Sequence, residues 1–166
     1  MLNSEKNVAG LWIGDSLPPL GELCIRSFQS HGYTFRLLSY GPITGVPDNV
    51  EFFDAETIVP WDQLFVHISG SVAPSADRLR YAYLALHGGL WTDMDVLCLR
   101  SIPIITNPMF GLEEAGLANL AVIYFPPEHP VMDAMARQMA DPACDMPWDA
   151  PWESINKTEW KRKVLK

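Results

Sequence analysis

Residues 8–40 read VAGLWIGDSLPPLGELCIRSFQSHGYTFRLLSY, and this stretch decides the fold class. Val8 to Gly14 is a short apolar run closed by glycine and followed by Asp15, Ser16 and the Pro18-Pro19 pair, which predicts a buried strand opening into a loop. From Leu20 to Gln29 the positions Leu20, Leu23, Cys24, Ser27 and Phe28 recur at three and four residues, the period of a helix, and His31-Gly32 stops it. Tyr33 to Tyr40 alternates and is rich in aromatics, so a second strand follows. Strand, helix, strand in that order predicts an α/β fold, a Rossmann-like, mostly parallel sheet flanked by helices. Its ligands lie at the carboxyl ends of the strands, and the loop after Trp12 is one such end.

Working outward, Val50 to Phe53 predicts a third strand before an irregular stretch around Pro60 and Trp61. Ser75 is expected to cap a helix running to about His87, with Gly88-Gly89 as its stop. Val96 to Leu99, Met109 to Leu112 and Ala118 to Phe125 are further strand candidates. Pro130 starts a helix whose Met132, Met135 and Met139 form a core stripe. The 14 prolines and 11 glycines punctuate short segments and form no linker, and no repeat is visible. Residues 1–151 are therefore expected to form one domain, followed by a basic tail or helix over 152–166.

Composition narrows the function classes. The 166 residues are 48% hydrophobic and 19% charged, with aromatics from Trp12 to Trp160, which excludes a disordered or low-complexity chain. Formal net charge is -8: residues 1–151 hold 18 acids against 7 bases, and the tail 2 against 5. A broad face for nucleic acid is thereby excluded, and a phosphate-bearing ligand needs local cations or a divalent metal. Cys24, Cys98 and Cys144 are odd in number and far apart, which predicts core thiols in a reducing compartment. The start, MLNSEKNVAG, has no basic segment followed by an apolar one, and the longest apolar run, Leu117 to Phe125, is too short to span a bilayer. The expectation is a cytoplasmic protein. Its tail, with Lys157, Lys161, Arg162, Lys163 and Lys166 beside Trp152 and Trp160, is either a solvated helix or a peripheral contact with an anionic membrane or a partner.

Chemistry concentrates in Ser75 to Val96, SADRLRYAYLALHGGLWTDMDV. Asp77, Arg80, Tyr81 and Leu84 share one helical stripe, while Leu79, Ala82, Tyr83 and Leu86 form a neighbouring, more apolar face. Four residues past the glycines come Asp93 and Asp95. In an extended stretch residues two apart project from one side, so both carboxylates can approach one hard cation. Mg2+ or Mn2+ on such a pair keeps positions open for water and substrate phosphate, the geometry that bridges a diphosphate. Blander readings exist. A lone D-x-D is common on solvated loops, Asp77 and Arg80 can be a surface ion pair, Trp12 can be core, and His87 and His129 have no metal-type spacing and are structural.

The string resembles the signature of glycosyltransferases with the DXD sugar-binding motif, a group that includes capsular-polysaccharide and α-1,6-mannosyltransferase-like enzymes and is related in motifs to the glucosylating toxins. There an Asp-x-x-Arg helix runs into Gly-Gly, an aromatic, one residue, and the Asp-x-Asp. Here Asp77, Arg80, Gly88, Gly89, Trp91, Asp93 and Asp95 stand in that register, and LWIG with the helix and aromatic strand after it matches the family's opening block. The resemblance spans roughly residues 8 to 130. It implies a GT-A nucleotide-sugar fold, a Mn2+ or Mg2+ cofactor, a UDP- or GDP-hexose donor, a glycan or glycolipid acceptor and retention of anomeric configuration. Residue by residue, it implies that Trp12 flanks the nucleotide base and that Asp77 and Arg80 hold the donor's sugar and diphosphate. Asp93 would face sugar or ribose with help from metal-bound water, Asp95 would ligate the metal, and Trp91, where the family often has Tyr, would stand beside the donor. Only 71 residues follow Asp95, so the expectation is either a compact transferase or a nucleotide-sugar-binding remnant. A haloacid-dehalogenase-type phosphatase is a weaker alternative for Asp93-Met94-Asp95-Val96. It is disfavoured because Gly88, Gly89 and Thr92 replace a continuous apolar strand and Leu97 stands where Thr or Val is expected.

Overall fold

A computed structural model describes residues 6–64, 73–103, 106–113 and 116–140. In chain order the elements are β1 (Asn7–Leu11), α1 (Pro19–Ser30), β2 (Thr34–Ser39), β3 (Val50–Asp54), α2 (Ala73–His87), β4 (Gly89–Thr92), β5 (Met109–Leu112), β6 (Ala118–Phe125) and α3 (Pro130–Met139). Two single 3-10 turns, Ala55–Thr57 and Trp61–Gln63, fill the stretch after β3. The strands form one sheet in the order β3-β2-β1-β4-β6-β5. The three pairings on the β3 side are parallel, whereas β6 runs antiparallel to both β4 and β5.

Both faces of the sheet are covered, and strand alternation sorts the side chains between them. Val8, Phe35, Leu37 and Leu90 pack with Cys24, Ile25 and Phe28 of α1. Ala9, Leu38, Trp91, Ile123 and Phe125 pack with Leu79 and Leu84 of α2 and with Met132 and Met135 of α3. The methionine stripe is core, as its helical spacing predicted. Cys24 and Cys98 are buried free thiols; Cys144 and the basic tail lie outside the described residues.

Several boundaries differ from expectation. α2 begins at Ala73, so Ser75 is a buried residue of its first turn and not its cap. Pro74 explains this, because its fixed φ and missing N–H suit a first helical turn. β1 ends at Leu11, although the Trp12 N–H still reaches the Leu38 carbonyl at 3.0 Å. Leu86, assigned to the apolar face of α2, is 62% exposed. Val96 to Leu99 alternates in burial without pairing to any strand. The chain has left the sheet there, and the Cys98 N–H donates instead to Ser27 Oγ of α1 at 2.9 Å.

The largest departure is β4. Gly88 and Gly89 do stop α2, with φ of +60° and +102°, but Gly89–Thr92 is itself a strand between β1 and β6. Pairing on both edges makes a strand of four residues that sequence periodicity does not reveal. The missing-strand objection to the phosphatase reading falls with it; the departure at Leu97 stands. A Cβ on Gly88 would come within 2.3 Å of the Pro127 nitrogen, so the position needs glycine for space as well as for backbone angle.

Candidate functional site

Since β1, β2 and β4 are parallel, their carboxyl ends form one rim of the sheet. α2 returns through Gly88 and Gly89 into the start of β4, so the first turns of α2 stand beside the end of β4. That reversal brings Asp77 and Arg80 to Asp93.

Arg80 is the hub. Its side chain is 9% exposed; Nη1 lies 3.2 Å from Asp77 Oδ1, and Nη2 donates to Asp93 Oδ1 at 2.6 Å. The guanidinium lies 5.7 Å from the centre of the Trp91 ring, and the Trp91 indole N–H donates to the same Asp93 oxygen at 3.3 Å. Trp91, expected beside the donor, is instead buried with its N–H on Asp93, so it supports the motif from within the core. Arg80 Nε is buried with no partner among the described residues. The exposed-ion-pair reading does not survive, because a guanidinium so buried and shared by two carboxylates is a structural clamp on Asp93.

Asp93 is fixed through its backbone as well. Its N–H donates to the Ala121 carbonyl at 2.8 Å, extending the β4–β6 pairing by one residue, and its carbonyl accepts from Cys24 Sγ at 3.5 Å. Cys24 therefore seats the motif loop from below, a role hidden in sequence because the two residues are 69 positions apart. Burial pushes the Cys24 thiol up to about 12, so it stays protonated. After Asp93 the chain turns at Met94 and Asp95. The two carboxylates therefore sit on a turn, and not on one side of an extended stretch. Gly10 permits that turn to fold over β1: a Cβ there would meet Met94 Sδ at 2.9 Å and the Thr92 carbonyl oxygen at 3.0 Å.

Electrostatically the rim is short of positive charge. Burial raises the Asp77 carboxyl; Arg80 opposes the shift and Asp93 adds to it. Burial likewise raises Asp93, against Arg80 and the Trp91 hydrogen bond and with Asp95. Asp95 is exposed and makes no hydrogen bond or ion pair among the described residues. Asp93 Oδ2 receives neither the Arg80 nor the Trp91 bond. Two neighbouring carboxylates, one of them exposed, give a hard cation candidate oxygen donors and a surplus of negative charge. Among the described residues no third His, Cys, Asp or Glu joins them, which suits Mg2+ or Mn2+ completed by water and substrate oxygens.

Trp12 stands on the same rim at the end of β1, half-buried. Its indole N–H donates to the Ser16 carbonyl at 2.9 Å, so only the ring face is available to a ligand. The Ser16 loop is tied to the segment after β2 through Leu17 N–H to Thr44 O at 2.9 Å and Thr44 N–H to Asp15 O at 2.9 Å. His87 and His129 lie away from the motif. His129 accepts from the Val131 N–H at 3.3 Å as the cap of α3, as a structural histidine should.

The family model described as the glycosyltransferase sugar-binding region containing DXD motif matches residues 24–114. An uncharacterised glycosyltransferase of Acanthamoeba polyphaga mimivirus is 30% identical over 93 residues, covering 52% of this chain and 35% of that protein. The chain thus spans about a third of the length of that curated relative. Among solved structures, the PaToxG glycosyltransferase superposes with a TM-score of 0.68 at 16% identity, covering 97% of this chain and 72% of the other. A transferase solved as a cysteine-to-serine double mutant superposes with a TM-score of 0.60 at 9% identity, covering 98% and 87%. At those identities the two structures bear on the fold, which is the GT-A arrangement expected from sequence.

Proposed function

The chain belongs to the glycosyltransferases whose sugar-binding region contains the DXD motif, and on that premise we propose that it binds a nucleotide diphosphate hexose with Mn2+ or Mg2+ at Asp95 and Asp93. We propose further that it transfers the hexose, with retention, to a glycan or glycolipid-type acceptor. The observation that carries this reading is the Asp77–Arg80–Asp93 clamp at the carboxyl end of β4, with Asp95 exposed beside it and unpaired among the described residues.

A divalent cation held there would neutralise the donor diphosphate and the charge that grows on it as the sugar leaves. The chain's own residues have separate tasks. Arg80 and the Trp91 N–H hold Asp93 Oδ1, which leaves the other oxygen outside both bonds. Both guanidinium ends of Arg80 face carboxylates, so Arg80 acts on the donor by positioning Asp93. Trp12 offers a ring face for the base, as the family resemblance implies. In retaining transfer with attack on the departing face, no dedicated base beside the acceptor is needed, so the demand falls on leaving-group stabilisation.

A calorimetric panel of UDP- and GDP-sugars, with and without Mn2+, tests donor binding, and release of nucleotide diphosphate tests turnover. The expected result is metal-dependent release from one donor even without acceptor, abolished in Asp93→Ala. Tight donor binding with no turnover, alone or with a range of glycans, would overturn the enzyme reading in favour of a binding domain. We propose a cytoplasmic protein, with the basic residues of 152–166 either solvated or in peripheral contact with an anionic membrane; sedimentation with anionic vesicles, lost on removing that segment, separates the two. No helix among the described residues is long and apolar enough to cross a membrane.

A further inference from the structure

A cavity of about 370 Å³ opens at the amino-terminal rim of the sheet, lined by the start of β1, the Gly88–Gly89 turn, the start of β4 and the end of β6. Four residues of β4 separate that rim from Asp93, roughly 13 Å at strand rise. Gly88 and Gly89 of the signature line it, whereas Trp12, Asp77, Arg80, Trp91, Asp93 and Asp95 do not.

Its chemistry runs against the rest of the chain. In a protein of net charge -8 the lining holds Lys6 and Arg36 and no carboxylate. Lys6 Nζ donates to Ser101 Oγ at 3.2 Å and lies 5.5 Å from the centre of the Tyr33 ring, with no carboxylate paired to it among the described residues. Arg36 shares two nitrogens with Glu51, at 3.2 and 3.0 Å, and Nη1 donates to the Tyr83 hydroxyl at 3.2 Å. Tyr33, Tyr83 and Tyr124 are among the lining residues, the first two buried and Tyr124 half-buried. Gly89 keeps the floor open: a Cβ there would touch nothing within 4 Å, and its φ of +102° disfavours any other residue. The volume falls in the lower part of the range of ligand pockets, about 300–1,000 Å³.

We propose that this cavity is a second ligand site that takes a small anionic carbohydrate, its phosphate or carboxylate at Lys6, with the Glu51-paired Arg36 nearby, and its ring against Tyr124. A cation with no carboxylate paired to it among the described residues, as Lys6 is, selects an anion, and the half-buried Tyr124 offers an aromatic surface to a sugar ring. The site does not depend on the donor-binding reading, so either can fail alone.

The test is amide-shift mapping of the full chain by NMR, titrated with glucose 6-phosphate, glucuronate, glucose and inorganic phosphate. Saturable shifts at Asn7, Gly88 and Gly89 are expected with glucose 6-phosphate, glucuronate or both, and the tighter of the two identifies the anion. Lys6→Glu should weaken that binding about tenfold or more, and Asp95→Asn should leave it unchanged. Should Lys6→Glu not fold, Lys6→Gln removes the charge without reversing it and should weaken binding about threefold. The proposal falls if neither charged sugar gives saturable shifts, if the shifts centre on Asp93 and Asp95, or if glucose binds as tightly as the charged sugars. Unchanged affinity on removing the Lys6 charge overturns it too, as does inorganic phosphate binding as tightly as the sugar anions, an adventitious ion only.

Discussion

Arg80→Lys separates the clamp from a simple charge effect. Lysine keeps the positive charge but has one nitrogen on a flexible stem, so it cannot span Asp77 Oδ1 at 3.2 Å and Asp93 Oδ1 at 2.6 Å together. One charge-assisted hydrogen bond is lost from a mostly buried site, worth about 1.5 to 3 kcal/mol. In a domain of this size each kcal/mol shifts the melting temperature by roughly 2–4 °C, so a fall of about 3 to 12 °C is expected. Urea unfolding of Arg80→Lys, Asp93→Asn and the double variant then gives the coupling, expected at about 0.5–3 kcal/mol. The same variant should weaken Mn2+-dependent donor binding, because Asp93 is no longer held by two donors. A variant within about 0.5 kcal/mol of the parent, with no coupling to Asp93→Asn, would refute the clamp.

Asp95→Asn should abolish metal-dependent donor binding while leaving the melting temperature unchanged, since the side chain is exposed and unpaired among the described residues; retained donor affinity in saturating Mn2+ would remove Asp95 from the metal site. Gly88→Ala should cost about 2 kcal/mol or more, because it adds left-handed strain to a Cβ placed 2.3 Å from the Pro127 nitrogen; chemical denaturation reads it, and a change under about 0.5 kcal/mol counts against the packing. Burial, with Arg36 nearby, lowers the His87 pKa below 6.5. Its neutral form therefore stabilises the fold above the unfolded value, and that contribution disappears as pH falls through the folded value. A ring-proton NMR titration with a midpoint at or above 6.5 contradicts this.

Much of the fold was legible because it rests on local rules. The strand, helix, strand order of residues 8–40 sets β1 and β2 as a parallel pair once short connections and right-handed crossovers are required. The spacing of Met132, Met135 and Met139 sets the buried face of α3. The site residues were named from the register Asp77, Arg80, Gly88, Gly89, Trp91, Asp93, Asp95, which is a property of the chain alone.

What each residue does was not in that register. Sequence put Asp77 and Arg80 on one stripe of a helix, where a surface pair and a donor contact read alike. Only the reversal of α2 into β4 sets Asp93 against that stripe, and only burial between α2 and the sheet turns the guanidinium into a clamp. β4 itself escaped detection because its four residues owe their extended form to hydrogen bonds from β1 and β6, which are supplied by distant segments. The support of Asp93 by Cys24 and Ala121, and the cavity that gathers Lys6, Arg36 and Tyr124, have the same origin. Periodicity fixes which face of an element is buried; which faces meet is decided by long-range pairing and close packing of the whole chain.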